Sequence, residues 1–267
     1  MLTEAEAQRL RKLDDADYVN VVRRYLTAAD ITDDPAQRPS RWAIDFRLMP
    51  LEQAMRFPAA LAIARERVKP ERETNRRRAY RDKWWLFAEP RTAMRTALEG
   101  LVRFAVTAGH AKRCLIVWQP ADVLASNATD IFAFDDDFSM GVLQSRAHVA
   151  WAWQRSSTLK GDLRYTPTSV FMTFPWPDQA TPEQRAHVAD ACRRLLARRS
   201  ELCLDAGSGL TKLYNAMDEG ACTDLSALHR RLDEAVAVRY GWPKAVAQDD
   251  RDLVCPAHGA EPPDQHR

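Results

Sequence analysis

The sequence lacks several features that would assign it to a common class of protein. No run of apolar residues is long enough to cross a membrane, and the N-terminus, MLTEAEAQRLRKL, has no hydrophobic signal-peptide core. These absences predict a globular protein that works in the cytoplasm, away from any membrane. With 267 residues, 46% of them hydrophobic, the chain is long enough for one large domain or two smaller ones.

Motifs for metal binding, nucleotide binding and catalysis are also missing. The five cysteines are widely spaced and form no C-x-x-C pair, so we interpret them as buried or incidental thiols. Gly207 and Gly209 follow no strand and precede no G-K-[ST], which favours a loop over a phosphate cradle. No predicted strand is followed by a G-x-G cofactor turn, and the one Pro-Pro pair, Pro262 and Pro263, lies in a polar tail. We therefore assign no catalytic residue.

The most catalytic-looking cluster is the run Asp135, Asp136 and Asp137. Adjacent carboxylates after a strand can hold Mg²⁺, but neighbouring strand residues point to opposite faces, and helix N-termini also favour acidic side chains. A helix cap is the preferred interpretation, and we predict no metal site.

Basic residues are unevenly distributed although the net charge is only +2. Arginine and lysine are concentrated between residues 65 and 95, whereas the tail is acidic. Such a segment can face a polyanion, because Lys and Arg gain affinity for phosphate by releasing counterions. It can equally be a solvated helix face with i,i+4 ion pairs. Charge alone leaves both interpretations open.

Hydrophobic periodicity and capping signals predict a mixed fold. Helices are predicted after the capping box of Thr3 and Glu6, across Tyr18–Leu26, at Ala59–Val68, through the basic stretch after Pro70, from Asp137 or Ser139 to Trp151, after the capping box of Thr181 and Gln184, and from Leu225 to Tyr240. Strands are predicted at Arg41–Phe46, Leu101–Thr107, Arg113–Trp118, Asp130–Phe134 and Thr168–Phe174.

The stretch RYTPTSVFMTFPWP, from Arg164 to Pro177, marks a change of texture. Pro175 and Pro177 cannot donate to a sheet ladder, so they end the predicted strand where a helical region begins. The fold class is therefore predicted to be mixed α/β (α+β): a mixed-sheet domain followed by a helical hairpin. The predicted boundaries are a connector at 1–70, the mixed domain at 71–177, helices at 178–244 and a disordered tail at 245–267.

Six stretches, in order, carry a resemblance to a known family. They are RWAIDF, RVKPERETNRRRAYRDKWWLFAEPR, DDDFSMGVLQSRAHVAWAW, RYTPTSVFMTFPWP, LTKLYN and DLSALHRRLDEAVAVRYGW. The chain resembles the C-terminal target-recognition domain and helical tail of large bacterial class I DNA methyltransferases of the type IIG restriction-modification kind, which have relatives in phage defence. The resemblance runs from about Tyr18 to Trp242.

The resemblance implies a division of labour. In this family an upstream domain binds S-adenosylmethionine and methylates the adenine N6 amine, while the recognition domain reads double-stranded DNA. Because the upstream motifs are absent from this chain, we expect no cofactor on it and no methyltransferase activity from it alone. An upstream or partner catalytic chain is expected to carry both. The segment VTAGHAKR is where family members are expected to vary with their target.

Two sets of side chains are expected to contact DNA. The predicted phosphate-binding residues are Arg76, Arg77, Arg78, Arg81, Lys83, Arg146, Lys160 and Arg164. The predicted base-reading residues are His110, Lys112, Arg113 and Tyr165. Trp84 and Trp85 lie beside the basic residues, but for each tryptophan a core position is the preferred interpretation. The alternative function is a protein–protein interaction or inhibitory module that docks through its C-terminal helices.

Overall fold

The computed structural model describes residues 1–13, 17–159, 161–177 and 179–242. Its helices are α1 Glu4–Arg11, α2 Ala28–Thr32, α3 Leu51–Ala54, α4 Pro58–Arg67, α5 Lys69–Glu73, α6 Arg78–Asp82, α7 Thr92–Ala97, α8 Asp137–Gln144, α9 Arg146–Arg155, α10 Pro182–Asp205, α11 Leu210–Asp218 and α12 Thr223–Arg239. Its strands are β1 Val22–Leu26, β2 Arg41–Ile44, β3 Arg103–Ala108, β4 His110–Ala111, β5 Ile116–Pro120, β6 Leu124–Ala125, β7 Thr129–Phe132, β8 Ser157–Leu159 and β9 Asp162–Arg164. The predicted mixed α/β class is confirmed.

The first sheet, in the order β2-β1-β6, corrects one prediction. The segment Tyr18–Leu26 was expected to be helical, but it forms a short 3-10 turn followed by the strand β1. This strand pairs antiparallel with β2 and parallel with β6. The strand contains the β-branched Val22 and the aromatic Tyr25, two residue types that favour strands. Val22 and Leu26 are fully buried. Pairing on both edges therefore outweighs the helix-like spacing.

The second sheet, in the order β5-β3-β7, confirms three predicted strands. β3 lies in the middle and pairs antiparallel with both neighbours, so that Ala105 stands opposite Trp118 on one side and Phe132 on the other. Phe104, Val106 and Ile116 are fully buried. The strand pair expected around the polar stretch 108–112 is therefore present.

The third sheet, β4-β9-β8, is very small and was not expected from the sequence. We call it the ribbon, and it consists of His110–Ala111, Ser157–Leu159 and Asp162–Arg164. All its pairs are antiparallel, and the backbone N–H of Tyr165 extends it by donating to the carbonyl of Gly109 at 3.0 Å. Two- and three-residue strands are too short to show a hydrophobic period.

The strand predicted at Thr168–Phe174 is wrong, because this segment forms consecutive turns. The N–H of Val170 donates to the carbonyl of Thr166 at 2.9 Å, which is the i→i−4 bond of a helical turn. Val170 and Phe174 are four residues apart and both buried. The apolar pattern is therefore explained by a helical turn rather than by a strand.

Two predicted helices are interrupted. The basic helix after Pro70 is split into α5 and α6, because the Asn75 side chain accepts from the Arg77 N–H at 2.9 Å and Arg81 donates to the Asn75 carbonyl at 2.6 Å. These bonds replace the helical ones. The helix expected up to Trp151 is split into α8 and α9 at Ser145, whose hydroxyl donates to the Val142 carbonyl at 2.6 Å.

Three helices close the described chain instead of the predicted hairpin of two. Both capping boxes, at Thr3 and at Thr181, are confirmed as the starts of α1 and α10. α10 packs on α8 and α12, and the stretch expected to connect two helices is itself helical, as α11. α11 follows Gly209, where a Cβ atom would lie 2.4 Å from the backbone of Asp33 after α2.

The buried apolar residues form two clusters. The smaller one extends from Leu2 to Leu86, and the larger one is built mainly from residues after 103. Leu26 and Ile31 belong to the larger cluster although they lie within the sequence span of the smaller one. Among the described residues no helix is both long and apolar enough to cross a membrane. The predicted domain boundaries stay predictions, and the predicted tail at 245–267 lies outside the described residues.

Candidate nucleic-acid interface

The ribbon brings two of the predicted DNA-contacting residues together. His110 on β4 stands directly opposite Arg164 on β9, and both side chains are exposed. Ser157 on β8 stands opposite Arg164 on the other side and is also exposed. Cross-strand partners share one face of a sheet, so these three residues line a single face. Leu163 on the opposite face is buried in the larger cluster, so this face of the ribbon packs against the core.

Tyr165, a predicted base-reading residue, lies inside the protein. Only 4% of it is exposed, and its hydroxyl lies 3.1 Å from Nε2 of His148. The ring packs edge-on against Phe132 with 5.6 Å between centroids. The geometry therefore does not support a base-reading role for Tyr165, and it indicates an anchor for the adjoining Arg164 instead.

Arg113 and Lys112 differ although they are neighbours. The Arg113 guanidinium forms an ion pair with Asp218 on α11, and its side chain is 12% exposed. It also donates to Asn215 at 3.2 Å. Lys112 is exposed, with its Nζ 3.5 Å from the same Asn215 oxygen. Arg113 is therefore held in an intramolecular contact, whereas Lys112 extends the exposed basic character of the ribbon.

The basic segment of α5 and α6 combines both interpretations that charge alone left open. Arg78 pairs with Asp82 at 3.0 Å in an i,i+4 contact, and Arg77 donates to the Tyr80 hydroxyl at 2.7 Å. Arg81 donates to backbone carbonyls. Arg76 and Lys83 are exposed, and their side chains make no hydrogen bond or ion pair with the described part of the chain. These two are the best placed to bind phosphate.

The remaining predicted phosphate contacts are scattered. Arg146 begins α9, is half-buried, and donates its backbone N–H to Asp233 at 2.8 Å. Lys160 lies outside the described residues.

Trp84 is buried, and Trp85 donates its indole N–H to the Met49 carbonyl at 2.9 Å. Both tryptophans pack in the smaller cluster, as preferred from the sequence.

Asp130 is a candidate that sequence reasoning missed. It lies on β7 opposite Thr107, with Oδ2 so close to Gly109 that a Cβ there would be 3.0 Å away. Gly109 directly precedes the ribbon. Burial raises the pKa of Asp130 to about 6. A carboxylate here can accept from the amino group of a base. The predicted strand gave no signal for this role, because it depends on the register between β7 and β3.

The three consecutive aspartates are explained by helix α8. Asp136 caps it by accepting from the Ser139 N–H at 2.8 Å, where Asp137 or Ser139 had been expected as the cap. Asp137 pairs with Arg103 at 2.7 Å and with Arg193 at 3.3 Å. The helix-cap interpretation is confirmed. In the described ranges no three His, Cys, Asp or Glu side chains converge as metal ligands would.

Two buried histidines have pKa values shifted by their surroundings. Burial lowers the pKa of His148 to about 4, and burial together with the Arg199 guanidinium lowers that of His229 to about 4. His229 lies 2.9 Å from the Tyr214 hydroxyl. Both are neutral core residues at neutral pH.

A family model, a protein of similar sequence and a solved structure each match this chain. The model of the MmeI target recognition domain family matches residues 1–178 of the 267. DNA methyltransferase A of Bacillus subtilis (strain 168) is 28% identical over 131 residues, which are 49% of this chain and 14% of that protein. A solved structure of the type IIL restriction-modification enzyme MmeI in complex with DNA superposes with a TM-score of 0.67 at 20% identity. That match covers 92% of this chain and 32% of the other, and it shows a shared fold.

Proposed function

Because this chain belongs to the MmeI target recognition domain family, we propose that it reads a sequence in double-stranded DNA and positions a methyltransferase there. The observation that carries this proposal is the exposed pair of His110 and Arg164 on one face of the ribbon. A narrow β-ribbon fits the major groove of B-DNA, which is about 12 Å wide and presents a distinct donor and acceptor pattern for each base pair.

The ribbon offers the donors that such reading needs. Arg164 was predicted from the sequence to bind phosphate, but its place opposite His110 on the exposed face of the ribbon favours a base contact, in which it donates two bonds to the O6 and N7 atoms of guanine. Lys112, which directly follows β4, can donate to the same atoms. His110 can donate or accept, depending on its tautomer. The half-buried Asp130, whose Oδ2 lies close to Gly109 just before the ribbon, would add an acceptor. The surface therefore combines donors and an acceptor, as discrimination between base pairs requires.

Affinity is proposed to come from phosphate contacts outside the ribbon. Arg76 and Lys83 meet phosphate without giving up a contact within the described residues. Arg77, Arg78 and Arg81 bind phosphate only by exchanging present partners, so their contribution is expected to be smaller. Phosphate contacts supply affinity that falls with salt but carry no sequence information.

Catalysis is proposed to lie outside this chain. The chain spans 14% and 32% of the two relatives described above, so a further domain or partner chain would bind S-adenosylmethionine and methylate the N6 amine of adenine. We expect this chain alone to bind no S-adenosylmethionine, which isothermal titration checks. A protein of this kind would work in the cytoplasm, where bacterial DNA is.

The interaction-module alternative receives less support. It would be favoured by an exposed leucine face on the closing helices. Instead Leu195 of α10 and Leu225 and Leu232 of α12 are fully buried in the larger cluster, and the exposed Leu204 at the end of α10 is not part of it.

Selection from a pool of random duplexes tests the proposed function. Repeated retention on the immobilised protein at moderate salt should enrich one short motif. Replacing Arg164 with Ala should relax the preference at one base pair by about 1–3 kcal/mol while leaving the others unchanged. Arg194→Ala is a matched control, because this exposed arginine lies on α10. Equal retention of all duplexes, or none at low salt, would refute sequence recognition.

A further inference from the structure

We propose that His148 and Tyr165 form a buried hydrogen-bonded pair that sets the orientation of the ribbon, and so act as positioning residues for sequence discrimination. The inference rests on the proposed function, because it says which residues support the reading face, by which we mean the exposed face of the ribbon with His110, Ser157 and Arg164. Neither residue is expected to touch DNA, because His148 is fully buried and Tyr165 nearly so.

The hydrogen bonds of His148 fix its tautomer. Nδ1 lies 2.9 Å from the carbonyl oxygen of Leu143 in α8, and a carbonyl oxygen can only accept. Nδ1 must therefore carry the proton, which leaves Nε2 as an acceptor. The Tyr165 hydroxyl, 3.1 Å away, is then the donor. A directed series of bonds thus runs from the end of β9 through α9 to the last turn of α8.

Neutral side chains suit this arrangement. Burial lowers the pKa of His148 to about 4 and raises the pKa of the Tyr165 hydroxyl. At neutral pH the imidazole is therefore uncharged, with a single proton, and the tyrosine hydroxyl remains protonated. Phe174 packs edge-on against His148 with 5.1 Å between ring centroids, and Phe132 does the same against Tyr165. The surrounding aromatic rings leave the pair few alternative orientations.

Tyr165 is placed where it controls both strands of the reading face. It directly follows Arg164, and its N–H donates to the carbonyl of Gly109, which directly precedes His110. One residue therefore ties the two strands together through its backbone and ties them to the core through its hydroxyl. Strands of two and three residues have few ladder bonds, and such small sheets depend on packing for their stability. The orientation of the exposed pair should thus depend on this anchor.

Tyr165→Phe is the sharpest perturbation, because it removes the donor and keeps the ring. Discrimination between the selected duplex and its single-base variants should fall by roughly tenfold, because the net contribution of one hydrogen bond no longer favours the reading orientation of the ribbon over others. The slope of affinity against salt should not change, because the phosphate contacts are untouched. His148→Gln is the conservative control, since its amide can donate to Leu143 and accept from Tyr165, and it should keep discrimination.

The double variant His148→Leu with Tyr165→Phe distinguishes an effect on the orientation of the ribbon from an effect on the stability of the fold. Replacing both polar partners by apolar groups should restore thermal stability toward that of the parent. Discrimination should stay low, because the directed hydrogen bonds are still absent. If discrimination instead follows thermal stability across these variants, or if Tyr165→Phe keeps full discrimination, the positioning role is refuted.

A readout without DNA keeps the inference testable if the parent protein proves not to bind duplexes. Amide hydrogen exchange should accelerate at the ribbon in Tyr165→Phe, including at the Tyr165 N–H, and stay unchanged in β3 and β5. Unchanged exchange at the ribbon would overturn the anchor itself, whereas faster exchange without DNA binding would leave the anchor standing and reject only the proposed function. If Tyr165→Phe does not fold, His148→Leu is measured in its place with the same expected outcomes.

Discussion

Replacing Asp45 with Asn should destabilise the protein strongly, because this carboxylate joins three separate parts of the chain. Asp45 follows β2 and is fully buried. It accepts two bonds from Arg95 of α7, at 2.8 and 3.0 Å, and one longer bond from Arg23 of β1, at 3.5 Å. It also accepts from the N–H of Arg47 at 2.9 Å.

The size of the effect follows from what each arginine keeps. Removing one partner of a buried ion pair costs about 3–5 kcal/mol, because the other charge stays buried and uncompensated. The Arg95 side chain is 18% exposed, loses both carboxylate bonds and keeps the Pro90 carbonyl at 2.8 Å. Arg23 keeps the carbonyls of Asp122 at 2.7 Å and Ala121 at 3.2 Å, so its loss is partial. We therefore expect a loss of about 3 kcal/mol in the free energy of unfolding.

Urea unfolding and calorimetry measure this loss. For a chain of this size about 3 kcal/mol should lower Tm by roughly 6–12 °C. Asp82→Asn is the matched control, because Asp82 pairs with an exposed Arg78 and such surface pairs contribute at most about 1 kcal/mol. A loss below about 1 kcal/mol in Asp45→Asn, or one equal to the control, would refute the conclusion that this network holds the segments together.

Three further changes have defined outcomes. Gly209→Ala should lower Tm, because its Cβ would meet backbone 2.4 Å away and overpacking costs about 1–3 kcal/mol; an unchanged melting curve would contradict the close contact. Burial depresses the folded-state pKa of His148 and His229 to about 4, so each adds stability that is present above the unfolded pKa of about 6.5 and lost as the pH falls toward 4. In His229→Gln the loss of stability between pH 7 and 4.5 should therefore be smaller than in the parent by about 2–3 kcal/mol, and an equal loss would argue against a neutral histidine. Replacing Arg76 and Lys83 with Ala should flatten the dependence of log K on log salt by about 1.8, and an unchanged slope would remove both phosphate assignments.

Long elements with repeated signals were predictable from the sequence. α10 and α12 have apolar residues at three-and-four spacing, and α10 also begins with a capping box and a proline. β3 and β5 are rich in apolar residues, at 104–106 and 116–118, and lie on either side of a short polar stretch. In each of these elements several independent local preferences agree with the tertiary structure.

Short apolar windows were not predictable in the same way. Residues 22–26 form a strand because both edges of β1 have partners, one of them in β6 about a hundred residues later. Residues 168–174 became turns because Val170 and Phe174 face the same core. A window of seven residues fits either period, and only distant partners decide between them.

In the candidate site too, features set by the residue itself were predictable, whereas features that depend on distant partners were not. Exposure of His110, Lys112 and Arg164 agrees with the polar or charged character of their side chains, which a sequence shows directly. The partner of Arg113 is Asp218, far away in the sequence, so no local signal could show that this arginine is already paired. The burial of Tyr165 likewise depends on His148 of α9 and on the ribbon, neither of which has a sequence pattern that predicts the contact.

The interleaving of the two apolar clusters has a consequence for the gene. Leu26 and Ile31 pack with residues encoded after position 103, while their neighbours on both sides pack in the other cluster. A single crossover between two diverged homologues anywhere from position 32 to 86 would therefore combine mismatched halves of both clusters. Exchange of a whole recognition surface should be tolerated best when the codons for Leu26 and Ile31 are inherited together with those for the later strands.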